Sequence, residues 1–120
     1  MLCFDFNQNG TCLVVGTPLG VRVYRLHPFS LVYASDGPGP TGVAELLFTT
    51  SLLALCGTGD SDAASPRRLS VVNTRDDSAI CELTFVSAVL AARMNGEFMA
   101  AVLDNRVHLY SLRDMRCAAF

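Results

Sequence analysis

Two arginines in tandem, Arg67 and Arg68, follow Ser65-Pro66 and precede Leu69. Guanidinium groups present planar forks of N–H donors that match carboxylates and phosphates. Proline stiffens the exit from the polar loop before them. The same pair also fits plain ion pairing with Asp60, Asp62, Asp76 or Asp77, an interaction of ~0–1 kcal/mol at a surface. Spacing supports no other chemistry. His27 precedes Pro28, and His108 stands in an apolar run with no Cys, Asp or His at ligand spacing, so a metal site is not expected. Asp60-Ser61-Asp62 begins like a calcium loop, yet the position that needs a bidentate acid is Val71. Gly57-Thr58-Gly59 lacks the third glycine and the following helix of a dinucleotide loop. No Gly-x-Ser-x-Gly elbow is present. The expectation is a non-enzyme with no catalytic residue, no metal and no cofactor.

The elements that hold this loop are short apolar runs. From Ser51 to Phe85 the chain reads as Leu52–Cys56, Leu69–Val72 and Ile80–Phe85, divided by the polar loop Gly57–Arg68 and the tight turn Asn73–Ser78, which is hairpin grammar. The same pattern precedes and follows it. Leu2–Phe6, Thr11–Val15, Val21–Leu26 and Leu31–Ala34 form a first set, with Asn9-Gly10 predicting a type I′ turn and Thr17-Pro18-Leu19-Gly20 a second turn. Asn9-Gly10-Thr11 also matches the N-glycosylation acceptor pattern, which a cytosolic turn explains better. The linker Ser35–Gly42 is too rich in Pro and Gly for helix or central strand. Val43–Phe48 opens the second set. The third runs Ala88–Met94, Phe98–Leu103, Val107–Leu112 and Met115–Phe120. Ala88–Met94 has helical propensity, and its place in the repeat overrides it. Leu13-Val14-Val15, Leu53-Ala54-Leu55 and Met99-Ala100-Ala101 fall at one repeat position, Val21–Tyr24, Leu69–Val72 and Val107–Tyr110 at the next. The period of about 40–45 residues is that of a four-stranded propeller blade. The fold expected is all-β, with blades over 1–34, 43–85 and 87–120.

Composition agrees with blades. With glycine counted, the apolar share is roughly 58%, above the ~45–50% usual in soluble domains, yet no run approaches the ~18 continuous apolar residues of a membrane-spanning helix. A propeller closes with roughly four to eight blades, so three make an open arc whose two end faces stay bare. Bare faces and unpaired edges predict that the isolated chain self-associates. The net charge of −2 provides no basic field for nucleic acid or anionic lipid. Five cysteines without a Cys-x-x-Cys pair read as buried reduced thiols, and no secretory signal opens the chain. A cytosolic place is expected.

The residues FNQNGTCLVVGTPLGVRVYRLHPF, SLLALCGTGDSDAASPRRLSVVNT and SAICELTF resemble the opening blades of the PROPPINs, seven-bladed WD-repeat-like propellers of autophagy. The combination of Phe6-Asn7-Gln8, Gly16-Thr17, Gly20 and Ser65-Pro66-Arg67-Arg68-Leu69 carries the resemblance, strongest for fungal-type core autophagy members. It implies a non-enzymatic effector that binds phosphatidylinositol 3-phosphate and the 3,5-bisphosphate, peripheral on preautophagosomal, vacuolar and endosomal membranes. The family reads lipid through a Phe/Leu-Arg-Arg-Gly motif late in the ring and inserts a blade-six loop into the bilayer. Here Arg67-Arg68 is followed by Leu69, so no lipid-binding residue is expected in these 120 residues. Second-blade loops of the family dock its lipid-transfer partner. By that resemblance Pro66, Arg67 and Arg68 are the expected partner-binding residues. A chain stopping at Phe120 is expected to be a piece of a longer protein or a truncated product. A generic cytosolic propeller scaffold without lipid binding is the alternative.

Overall fold

Runs of β-branched and aliphatic residues cut by Gly, Pro, Asn and Asp form strands, and strands are the regular elements among the described residues. The structure is a computed structural model that describes residues 1–37, 39–47, 50–59 and 65–113, and the backbone of 117–119. Among them lie β1 (Cys3–Phe6), β2 (Cys12–Gly16), β3 (Val21–Leu26), β4 (Phe29–Ser35), β5 (Thr41–Leu46), β6 (Leu52–Gly57), β7 (Arg68–Asn73), β8 (Ser78–Thr84), β9 (Ala91–Met94), β10 (Phe98–Val102), β11 (Val107–Ser111) and β12 (Cys117–Ala119). They make three antiparallel sheets of four, ordered β1-β2-β3-β4, β5-β6-β7-β8 and β9-β10-β11-β12. The residues expected at equivalent repeat positions fall on β2, β6 and β10, and on β3, β7 and β11.

The structure differs from the sequence reading at the element ends. Ser35 extends β4, and Thr41 and Gly42, read as linker, open β5. There a register shift between Thr41 and Val43 lets the glycine be absorbed as an irregularity. β4 starts at Phe29, so His27-Pro28, joined by a cis peptide bond, forms the whole connection. Gly57 and Arg68, read as loop, close β6 and open β7. Ala88–Leu90 lie outside β9. The type I′ turn is not formed. Gly10 has φ of 75° but Asn9 does not adopt positive φ, because the Asn7 side chain folds the loop: its Oδ1 accepts from the Thr11 and Cys12 N–H groups at 2.9 and 3.1 Å. Phe48, Asp60-Ser61-Asp62, Asp114, Met115 and Phe120 lie outside the described residues.

The core is in two layers because side chains alternate across a strand. On β6, Leu53 and Leu55 face the first sheet and pack with Val14, Val21 and Val23. Ala54 and Cys56 face the third sheet, together with Leu69, Val71, Met94 and Met99. Leu69 is fully buried, whereas Phe4, Phe6 and Leu31 stand exposed on the far side of the first sheet. Of the cysteines whose side chains are described, Cys56 alone is buried; Cys3, Cys12 and Cys81 are half-buried, and all four are reduced. At the inner edge β1 lies beside β5, and β5 beside β9.

Leu69→Ala is expected to lower stability by ~2–5 kcal/mol, and Leu31→Ala, at a position 53% exposed, to change it by about 0.5 kcal/mol or less. Urea unfolding followed by far-UV circular dichroism measures both; equal losses would contradict the layered packing.

Candidate functional site

The double-arginine turn, residues 65–68, is anchored through its backbone, which leaves its arginine side chains at the surface. Pro66 and Arg67 form the turn that leads into β7. The Pro66 carbonyl accepts from the Val89 N–H at 2.8 Å and from the Cys56 thiol at 3.0 Å. The Arg67 carbonyl accepts from the Phe85 N–H at 2.8 Å. Ser65 closes the turn, its hydroxyl oxygen accepting from the Arg67 N–H at 3.2 Å and its carbonyl from Gly57 at 3.3 Å. Burial pushes the Cys56 thiol up to about 11, so the sulfur is a buried spacer and a weak donor, with no nucleophilic character at neutral pH.

The structure thus brings the three expected residues together, with the Arg67 and Arg68 side chains exposed and Pro66 half-buried. The acidic neighbour of Arg68 is Glu82, its Nε 3.8 Å from the Glu82 Oε2. This corrects the anticipated pairing as far as Asp76 and Asp77 are concerned. Asp77 accepts a 2.5 Å hydrogen bond from the Tyr33 hydroxyl, and Asp76 one from Ser78 at 2.6 Å; Asp60 and Asp62 are outside the described residues. Glu82 was legible only through the β7–β8 register, which sets Ser70 opposite it and puts Arg68 one diagonal step away. Both partners are substantially exposed, so the pair contributes little stability and leaves the guanidinium available. Arg68 and Glu82 border a groove of about 210 Å³ on the second sheet, which Thr41 and, from the preceding linker, Gly37 also line.

A second polar group sits at the inner edge. Gln8, held forward by the Asn7 loop, donates from Nε2 to the carbonyls of Leu46 on β5 and Met94 on β9, both at 2.8 Å. Glu45, only 4% exposed, accepts from the Met94 N–H through Oε2 at 3.1 Å. Arg93 pairs with Asp5 at 3.2 Å. Burial, above all, raises the Glu45 carboxyl to about 7; the Met94 N–H and Arg93 oppose this and Asp5 adds to it. Sequence reasoning missed Glu45, although a lone acid inside the apolar run Val43–Phe48 was the available signal. Phe6-Asn7-Gln8 was singled out, but its bonding was not. His108 packs against the rings of Phe85 and Tyr110, with centroids 5.1 and 6.5 Å away.

The PROPPIN family model matches residues 1–119. Autophagy-related protein 18 of Kluyveromyces lactis is 43% identical over 112 residues, covering 93% of this chain. The protein of that name from Mycosarcoma maydis is 41% identical over 119 residues, covering 97%. The chain spans only 22% and 26% of their lengths. Among solved structures, a complex of KlAtg21 with the coiled coil of AgAtg16 matches at a TM-score of 0.81 and 29% identity, over 97% of this chain and 37% of that one. Kluyveromyces lactis Hsv2 matches at 0.83 with 19% identity, over 99% and 35%, and attests the fold. Three sequential four-stranded sheets that superpose on these propellers are propeller blades. With a family match over nearly its whole length, the chain belongs to the PROPPIN family.

Proposed function

We propose that this chain is the partner-docking part of a non-enzymatic phosphoinositide effector of autophagy, in which Pro66, Arg67 and Arg68 receive a lipid-transfer protein at autophagosome precursor membranes. Its three sheets are read as blades 1–34, 43–85 and 87–120. The observation that carries the reading is the loop itself: a backbone pinned at both carbonyls with two guanidiniums turned outward, in a chain of this family. A turn fixed by its backbone spends less entropy on docking than a mobile one, and exposed arginine forks suit an acidic partner surface. The names of the relatives support a role in autophagy, and the KlAtg21 complex with a coiled coil supports protein-partner binding by propellers of this family. Recognition of 3-phosphoinositides is assigned to residues other than these 120, since Arg67-Arg68 is followed by Leu69 where the lipid motif requires glycine.

Two experiments test the division. An epitope-tagged chain carrying R67E and R68E is expected to lose co-precipitation of the autophagy lipid-transfer protein from cell extract, with its far-UV circular dichroism unchanged. Undiminished capture would overturn the docking assignment. Liposomes with and without phosphatidylinositol 3-phosphate are expected to float equal amounts of the 120-residue chain, and selective flotation with the phosphoinositide would place lipid recognition inside it.

A further inference from the structure

Where the inner strands of the three blades converge, one buried acid touches the other two. β1, β5 and β9 are the first strands of their sheets, so each turns an unpaired edge toward its neighbours. Glu45 on β5 accepts from the Met94 N–H of β9 at 3.1 Å, and β1 packs beside β5 with Asp5 near enough for its charge to act on the Glu45 carboxyl. Asp5 in turn holds Arg93 of β9 at 3.2 Å. These are the charged groups facing Glu45 among the described residues; β6, paired with β5, sets Ala54 opposite it. A hydrogen bond between two carboxyl groups needs one proton between them. With Glu45 protonated, its O–H donates to an Asp5 oxygen while Oε2 keeps the Met94 N–H. With that proton gone, two carboxylates face each other, that of Glu45 on a residue only 4% exposed, and the guanidinium of Arg93 is left to offset both.

We infer that Asp5, Glu45 and Arg93 form a proton-linked latch across the inner strands of the three blades, closed when Glu45 carries its proton and loosened when it ionises. The buried carboxyl titrates at about 7, so the latch changes state around neutral pH. Its folded-state value lies above the ordinary 4.5. The stabilising contribution is therefore complete below about 4.5 and is lost as pH rises through about 7.

The test compares urea unfolding of the 120-residue chain with that of E45Q and D5N from pH 4 to 8.5, at low micromolar concentration. Glutamine at this position keeps an acceptor for the Met94 N–H and a donor for Asp5 without a titrating proton. Taking differences between chains removes every other titrating group. Relative to E45Q, the folded-to-unfolded ratio of the unsubstituted chain is expected to fall on the order of a hundredfold between pH 4.5 and 7 and then to level off. Parallel profiles would overturn the latch. D5N gives an independent reading if E45Q does not fold. Removing the Asp5 charge is expected to flatten the same slope, and a slope equal to that of the unsubstituted chain would remove Asp5 from the latch and overturn it. Where aggregation blurs an unfolding curve, the pH dependence of protease cleavage rates in the same three chains reads the same differences.

Discussion

Edge strands that converge in a buried place must satisfy one another. Each blade begins on its inner strand, and that strand has a sheet partner on one side only. Unpaired backbone groups in a buried place cost roughly 1–3 kcal/mol each, so the arc depends on something meeting them. Met94 shows how it is done. Its N–H is taken by Glu45 from the second blade and its carbonyl by Gln8 from the first. Gln8 also takes the Leu46 carbonyl. Side chains of two blades thus complete the backbone of a third, beside the hydrophobic layers packed on either side of β6.

The same logic, applied to carbonyls at the opposite kind of element, orders the arginine loop. Pro66 and Arg67 hand their carbonyl oxygens to Val89 and Phe85, in the connection that leads to the third blade. Arg68 then enters β7 and is fixed by its ladder. The carbonyls of the turn are engaged inward, and the guanidiniums are left at the surface.

Much of this fold was legible because propeller blades are local. A strand of alternating residues followed by a turn specifies its neighbour within a few positions, and the repeat places all twelve strands. Boundaries were harder where glycine lies inside a strand. Gly42 and Gly57 look like loop residues in composition, but cross-strand pairing holds them in β5 and β6. The Asn9-Gly10 turn misled for another reason: the loop geometry is dictated by the Asn7 side chain, which satisfies two backbone donors and so overrides the two-residue preference. At the site, the arginines announce themselves by type, while Glu82 becomes visible only once β8 is registered on β7. Glu45 and Gln8 act between blades, over separations that no local pattern encodes.

The Gln8 bond to Met94 spans 86 positions of sequence, whereas every ladder in the sheets joins strands adjacent in the chain. Closing a long loop costs more entropy than closing a hairpin, and in stacked repeats each unit draws first on its nearest neighbours. The order of assembly follows. Hairpins zip individually, neighbouring blades dock in pairs, and the glutamine that touches all three closes last, so it reports arrival of the finished arc and takes no part in starting it.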